Sequence, residues 1–112
     1  TAYAYFGSTS IPFNQDASAS NAWGWYTTYQ EGTFPVYAGA GQNDLNKGTL
    51  VGYITVSGTT VTFVPFDNVT VLEQHFYIGG NIPTRVPGRW QTISQPLVYM
   101  TFHLSVEITE EV

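Results

Sequence analysis

The stretch LVYMTFHLSVEITEEV, residues 97–112, decides the fold of this chain. Apolar residues occupy every second position between Val98 and Ile108, and mostly polar or amphipathic residues lie between them. Such period-two alternation is the signature of a strand with one buried face and one solvated face. The stretch is well over the usual strand length of roughly 5–6 residues. A strand of this length needs a partner, either in its own domain or in a neighbouring chain.

A terminal strand of this kind can complete the sheet of a neighbour, because its backbone hydrogen bonds supply affinity and its alternating side chains supply specificity. Residues beyond about Ser105 are the stronger candidates for reaching a neighbour, whereas 98–104 are expected in the domain's own core. The strand-like N-terminus offers a second contact of this type. The predicted subunit contacts are Val98, Met100, Phe102, Leu104, Val106, Ile108, Tyr3 and Tyr5.

Short extended stretches separated by turn residues fill the rest of the chain. Residues 50–56 and 59–64 flank Ser57-Gly58, which predicts a compact hairpin. Residues 69–78 fit a strand or a short helix capped by Asp67, and the β-branched residues at 69–71 favour the strand. With seven to nine short strands and no clear helix, the sequence predicts a single all-β domain over residues 1–112, folded as an antiparallel β-sandwich.

The composition excludes several classes of function. Only 10% of the 112 residues are charged, against about 25% in typical soluble domains. Three Lys and Arg residues against eight acids give a net charge of −5, so no basic patch is available to bind nucleic acid. The chain has no cysteine, which excludes disulfides and thiolate metal sites. No apolar run reaches the length of a membrane span.

The same composition favours a secreted protein at an extracellular or cell-surface location. Weakly charged polar surfaces rich in Thr, Ser, Asn and aromatic residues are typical of extracellular assemblies and binding modules. The chain starts at Thr1 rather than Met, which favours a mature N-terminus after removal of a signal peptide. Asn68-Val69-Thr70 is a glycosylation sequon, so Asn68 is a candidate glycosylation site.

Trp23, Trp25 and Trp90 are candidates for stacking against sugar rings, because an aromatic face pairs with the apolar face of a pyranose. Trp23 and Trp25 share one face of a predicted strand, and Trp90 lies in a predicted irregular loop. The favoured interpretation is nevertheless that these rings anchor the core and the loop.

Glu73, His75 and His103 have the residue types of a metal site with two histidines and one carboxylate. Cross-strand pairing of surface side chains is the favoured interpretation. Alternating Asn and Asp residues at 43–48 resemble the start of a calcium loop, although local turn capping is the favoured explanation. We therefore predict no cofactor and no metal site, with calcium as a minor alternative, and we find no catalytic arrangement of residues.

The order of several motifs resembles a β-sandwich domain of secreted and cell-surface bacterial proteins. These motifs are YAGAGQ at 37–42, KGTLVG at 47–52, EQHFYIGG at 73–80 and PGRW at 87–90. The resemblance covers nearly the whole chain. It implies an extracellular β-domain of the kind found among adhesins, matrix proteins and neighbours of carbohydrate-active domains, and it implies no catalytic residue.

These observations predict a non-catalytic structural subunit of an extracellular assembly such as a filament, tube or matrix. Its partner is expected to be another copy of the same chain, paired through terminal strands. The alternative is a carbohydrate-binding or adhesion module that binds glycans through the tryptophans.

Overall fold

The computed structural model describes residues 2–13, 24–41, 44–83 and 93–109. They form eight strands and short 3-10 turns, which confirms the predicted all-β fold. No helix in these ranges is long and apolar enough to cross a membrane. The strands are β1 (Ala2–Ala4), β2 (Ile11–Pro12), β3 (Trp25–Thr28), β4 (Gly32–Ala38), β5 (Thr49–Ser57), β6 (Thr60–Pro65), β7 (Val69–Gly79) and β8 (Tyr99–Ile108).

All eight strands pair antiparallel, in the order β2-β3-β8-β1-β4-β5-β6. Strands β3 and β1 share one edge of β8, and β7 pairs with the opposite edge. The hairpin of β5 and β6 confirms the prediction from Ser57-Gly58, with Gly58 in the left-handed region at φ +60°. Strand β7 confirms the strand interpretation of residues 69–78.

The long C-terminal strand lies in the middle of the sheet. One edge of β8 pairs with β7 along its length, and the other edge pairs with β3 near Met100 and with β1 near Leu104. Met100, Phe102 and Leu104 are fully buried, and Tyr3 of β1 is buried as well. The expectation that residues 98–104 lie in the domain's own core is confirmed for Met100, Phe102 and Leu104. The alternative, that these residues and Tyr3 contact a second subunit, is wrong because neighbouring strands of the same chain already cover them.

The prediction of one solvated face on β8 is also wrong for the middle of the strand. Thr101 is fully buried and only 8% of His103 is exposed. On this face Tyr3 packs beside His103, and the ring of Phe13 lies 6.3 Å from that of Tyr3. The Thr101 hydroxyl donates to the Trp25 carbonyl at 2.8 Å. Neighbouring strands and the residues next to β2 and β3 thus cover polar side chains that the alternation places in water.

The opposite face of β8 belongs to the main hydrophobic core. The ring centroid of Phe102 lies 5.5 Å from that of Phe76 and 6.1 Å from that of Phe6, both in edge-on geometry. Phe6 in turn packs edge-on against Phe34 at 5.1 Å. Rings from β4, β7, β8 and the chain after β1 therefore meet at one centre, and β8 supplies its middle residue.

Candidate functional site

Two features of the described chain stand out as candidates for function: a row of aromatic and imidazole rings across the sheet, and an unpaired strand edge. The row follows the strand register. Tyr37 lies opposite Tyr3, Tyr3 opposite His103, and His103 opposite His75. Residues directly opposite in antiparallel strands point to the same face, so four strands contribute one side chain each to the row.

The two histidines are stacked rather than convergent. Their ring centroids lie 5.6 Å apart at an interplanar angle of 26°, and the Tyr3 ring lies 4.9 Å from His103. His75 Nε2 lies 3.1 Å from a carboxylate oxygen of Glu73, whose side chain is largely exposed. The predicted trio of Glu73, His75 and His103 is therefore brought together. Within the ranges that the structure describes, no group of three His, Asp or Glu residues has the geometry to hold a metal ion.

Burial sets the ionisation of this row. Burial, followed by the positive charge of His75, lowers the pKa of His103 to about 4, while Glu73 acts in the opposite direction. Burial raises the pKa of Tyr3 to about 12. His103 and Tyr3 are consequently both neutral at pH 7. The centre of the row, formed by these two rings, is therefore packed and uncharged at that pH.

Gly24 allows the backbone to lie directly on the Tyr3 ring. A Cβ atom at this position would lie 2.7 Å from Cδ1 of Tyr3, and the backbone φ is +117°. We expect Gly24→Ala to lower the free energy of unfolding by about 1–3 kcal/mol, because it adds a clash to an unfavourable backbone conformation. Gly7→Ala is the matched control: φ is +65° there, but no atom lies within 4 Å of the added Cβ. If urea unfolding showed equal losses of stability for Gly24→Ala and Gly7→Ala, the clash with the Tyr3 ring would not be the cause.

The tryptophan candidates do not form a described surface. Trp25 is only 3% exposed, and its ring packs edge-on against Tyr5 at 4.9 Å. The prediction that Trp25 stacks on a sugar is therefore wrong, because its ring is part of the core. Trp23 and Trp90 lie outside the described residues.

The calcium candidate is a capped turn over its described part. The Asp44 carboxylate accepts a hydrogen bond from the backbone N–H of Asn46 at 3.0 Å and caps the 3-10 turn Leu45–Lys47. This agrees with local turn capping, and Asn43 lies outside the described residues. Asn68, the glycosylation candidate, is exposed in the turn between β6 and β7.

The remaining predicted contacts lie at the ends of the buried strands. Val98 is 40% exposed, Ile108 is also exposed, and Val106 and Tyr5 are half-buried. Ile108 and Val106 pair with β7 through Val69 and Val71, so residues after Ser105 are part of the domain's own sheet at least to Ile108.

Strand β6 is a free edge that the sequence analysis did not single out. It pairs with β5, and no described strand pairs with its other side. Its sequence, TVTFVP, contains no charged residue. Thr60, Thr62 and Val64 are exposed, and Val64 is 59% exposed. An uncharged edge of this kind presents unpaired backbone groups that can pair with another chain.

The other long edge strand, β7, carries the protection that β6 lacks. A bulge interrupts its pairing between Val71 and Glu73, and bulges and charges both discourage pairing with another chain. At the far end of β7, Ile78 forms a bridge with Ile93. Of these two long edge strands in the described part of the chain, β6 is therefore the more accessible.

An exposed face adjoins the β6 edge. Pro35, Tyr53 and Val64 lie opposite one another on β4, β5 and β6, and therefore share this face. The Phe66 ring packs edge-on against Tyr53 at 6.1 Å, and both are exposed. Beside them the hydroxyls of Thr33 and Thr55 are hydrogen-bonded at 3.1 Å. The surface is thus apolar and hydroxyl-bearing, without a charge among these residues.

Comparisons with protein-family models, curated protein sequences and solved structures give no match for this chain. The resemblance to a bacterial surface domain therefore stays a prediction.

Proposed function

We propose that the chain is a non-catalytic structural subunit of an extracellular assembly, secreted or held at the cell surface. The observation that carries this proposal is the uncharged free edge of β6 next to an exposed apolar face. Monomeric proteins usually protect a sheet edge with charges, bulges or a covering segment. Strand β7 has such features, whereas β6 has only Pro65 at its end.

The contact in this proposal differs from the one expected from the sequence. The central position of β8 makes it a structural strand of its own domain, so its buried residues are not the contact. We assign the contact between subunits to β6 instead, because its backbone groups are free on one side. The low charge of the chain supports the proposal, since few surface charges oppose close packing of identical copies.

The alternative, a carbohydrate-binding or adhesion module, depends on Trp23 and Trp90, since the Trp25 ring is buried. Glycan binding by a strictly monomeric protein, lost on Trp90→Ala, would favour this alternative over assembly.

The test of the proposed function is the state of association of the purified chain. We expect sedimentation velocity and light scattering to show species larger than the monomer, with a fraction that grows from micromolar to near-millimolar protein. Negative-stain microscopy should then show whether these species extend into filaments or sheets. A chain that stays monomeric over the whole concentration range would contradict the proposal.

A further inference from the structure

We propose that two copies of the chain pair through β6, antiparallel and about a two-fold axis, with Thr62 of one copy directly opposite Thr62 of the other. This inference rests on the proposed function, because it names the partner and the register of the same edge. It follows from the direction in which each backbone group of β6 points.

The hydrogen bonds of the hairpin fix these directions. The N–H of Phe66, just after β6, donates to the Val51 carbonyl of β5 at 3.0 Å. The register of β5 and β6 is regular from Gly52 opposite Pro65 to Ser57 opposite Thr60. Because backbone groups of alternate residues point to the same side of a strand, Thr60, Thr62 and Val64 also bond to β5.

Val61 and Phe63 therefore point their N–H and C=O groups away from β5, towards the free side. Pro65 has the same orientation, and it has no N–H to donate. The free edge of β6 thus offers two donors, the N–H groups of Val61 and Phe63, together with the carbonyls beside them. An antiparallel partner must meet both residues in hydrogen-bonded positions to satisfy them.

One register of a two-fold pair satisfies both the N–H and the C=O groups of Val61 and Phe63. When Thr62 faces Thr62, Val61 of each copy lies opposite Phe63 of the other, and each of these pairs exchanges two hydrogen bonds. A shift that centres the pair on Phe63 places Val61 opposite Pro65, whose carbonyl accepts from the Val61 N–H but which has no N–H to donate to the Val61 carbonyl. A shift that centres it on Val61 moves Phe63 opposite Thr59, which lies in the hairpin turn.

The free backbone groups favour a second copy of the chain as the occupant of this edge, because Val61 and Phe63 of one copy pair completely with Phe63 and Val61 of the other. The net charge of −5 disfavours only those contacts that bring the few acids of two copies together. No charge lies along β6 itself, so the paired residues bring no like charges together, whereas the nearby acids lie at the two ends, where the antiparallel pair places the turn of one copy beside the Asp67 end of the other. The Glu31 carboxylate accepts from the Gly58 N–H at the hairpin turn, and Asp67 follows the strand. The two-fold axis also places the exposed Tyr53 faces of both copies on the same side, as one continuous surface.

A charge swap at the self-facing position tests the register. Thr62 is exposed, so Thr62→Lys and Thr62→Glu should both fold. Each variant alone places like charges directly opposite, which is destabilising. We expect the dimer dissociation constant of each to rise about tenfold or more, equivalent to roughly 1.4 kcal/mol. An equimolar mixture should recover association, because Lys then faces Glu.

Two further variants separate local charge effects from pairing. Thr70→Lys adds the same charge at an exposed position of the opposite edge strand, β7, and should leave association unchanged. Val61→Pro removes an outward N–H without removing a hydrogen bond to β5. It should keep the far-UV circular dichroism of the wild type and lose association.

The outcomes distinguish this inference from the proposed function. If the wild type associates and the Thr62 variants associate equally well, pairing through β6 is wrong, while the assembly itself stands. If each variant is monomeric and the mixture stays monomeric, the register centred on Thr62 is wrong. A wild type that is monomeric at every concentration overturns both proposals.

Discussion

Phe102→Ala is expected to lower the free energy of unfolding by about 3–5 kcal/mol, the range for truncating a buried aromatic residue. Phe102 is fully buried at the centre of β8, and its ring contacts those of Phe6 and Phe76 from different parts of the chain. The cavity is flanked by strands that pair on both sides of β8, so the surroundings cannot collapse easily to fill it. Urea unfolding followed by circular dichroism measures the loss.

Val98→Ala is the matched control near the start of the same strand. Val98 is 40% exposed, so its truncation should change the free energy of unfolding by no more than about 0.5 kcal/mol. The pair of variants also distinguishes a domain strand from a strand donated to a neighbour. If Phe102→Ala left the monomer as stable as the wild type and abolished association, β8 would belong to an interface, contrary to the topology described above.

The faces of individual strands could be predicted from the sequence, and the strand order could not. Period-two alternation places Met100, Phe102 and Leu104 on one face, and all three are buried together. The same pattern places Thr101 and His103 on a solvated face. They are buried because β1, β3 and β7 flank β8 and because residues next to β2 and β3 cover that side. Alternation reports how a strand divides into faces, but it carries no information about what lies over each face.

The register between distant strands could not be predicted from the sequence either. Glu73 and His75 could be assigned to one face from their spacing, as the structure has them. His103 lies directly opposite His75 because of the register in which β7 pairs with β8. A bulge between Val71 and Glu73 shifts this register. A bulge leaves only a weak sequence signal. The histidine pair therefore became visible only in three dimensions, although its residue types had been singled out.

That β6 is an edge strand likewise could not be predicted from the sequence. Its hairpin was predicted correctly, and the absence of charge from TVTFVP can be read from the sequence. Whether a strand is an edge depends on all the others, however. The terminal strand was predicted as the subunit contact because it is long, alternates with period two and carries few charges. In the sheet, β8 lies inside and the unpaired edge belongs to β6, a strand in the middle of the chain.

The stability of the domain is expected to fall as the pH is lowered from about 6.5 to about 4, with His103 as a principal cause. Burial, followed by the charge of His75, lowers the pKa of His103 in the folded chain from 6.5 to about 4. Between these values the unfolded chain binds a proton that the folded chain does not, so protonation favours unfolding. The contribution is complete above the unfolded pKa, declines as the pH falls, and levels off below the folded pKa. Its full size is about 3 kcal/mol, from roughly 1.4 kcal/mol per pKa unit.

His103→Phe isolates this contribution, because it keeps a ring beside Tyr3 and removes the titrating group. All other titratable groups are common to the wild type and the variant. The quantity to compare is therefore the difference between wild type and variant in urea unfolding at a series of pH values. We expect the wild type to lose about 2–3 kcal/mol more than the variant between pH 7 and pH 4. Parallel losses would show that His103 is protonated as easily in the folded chain as in the unfolded one, which a position between β1 and β7 with 8% exposure does not allow.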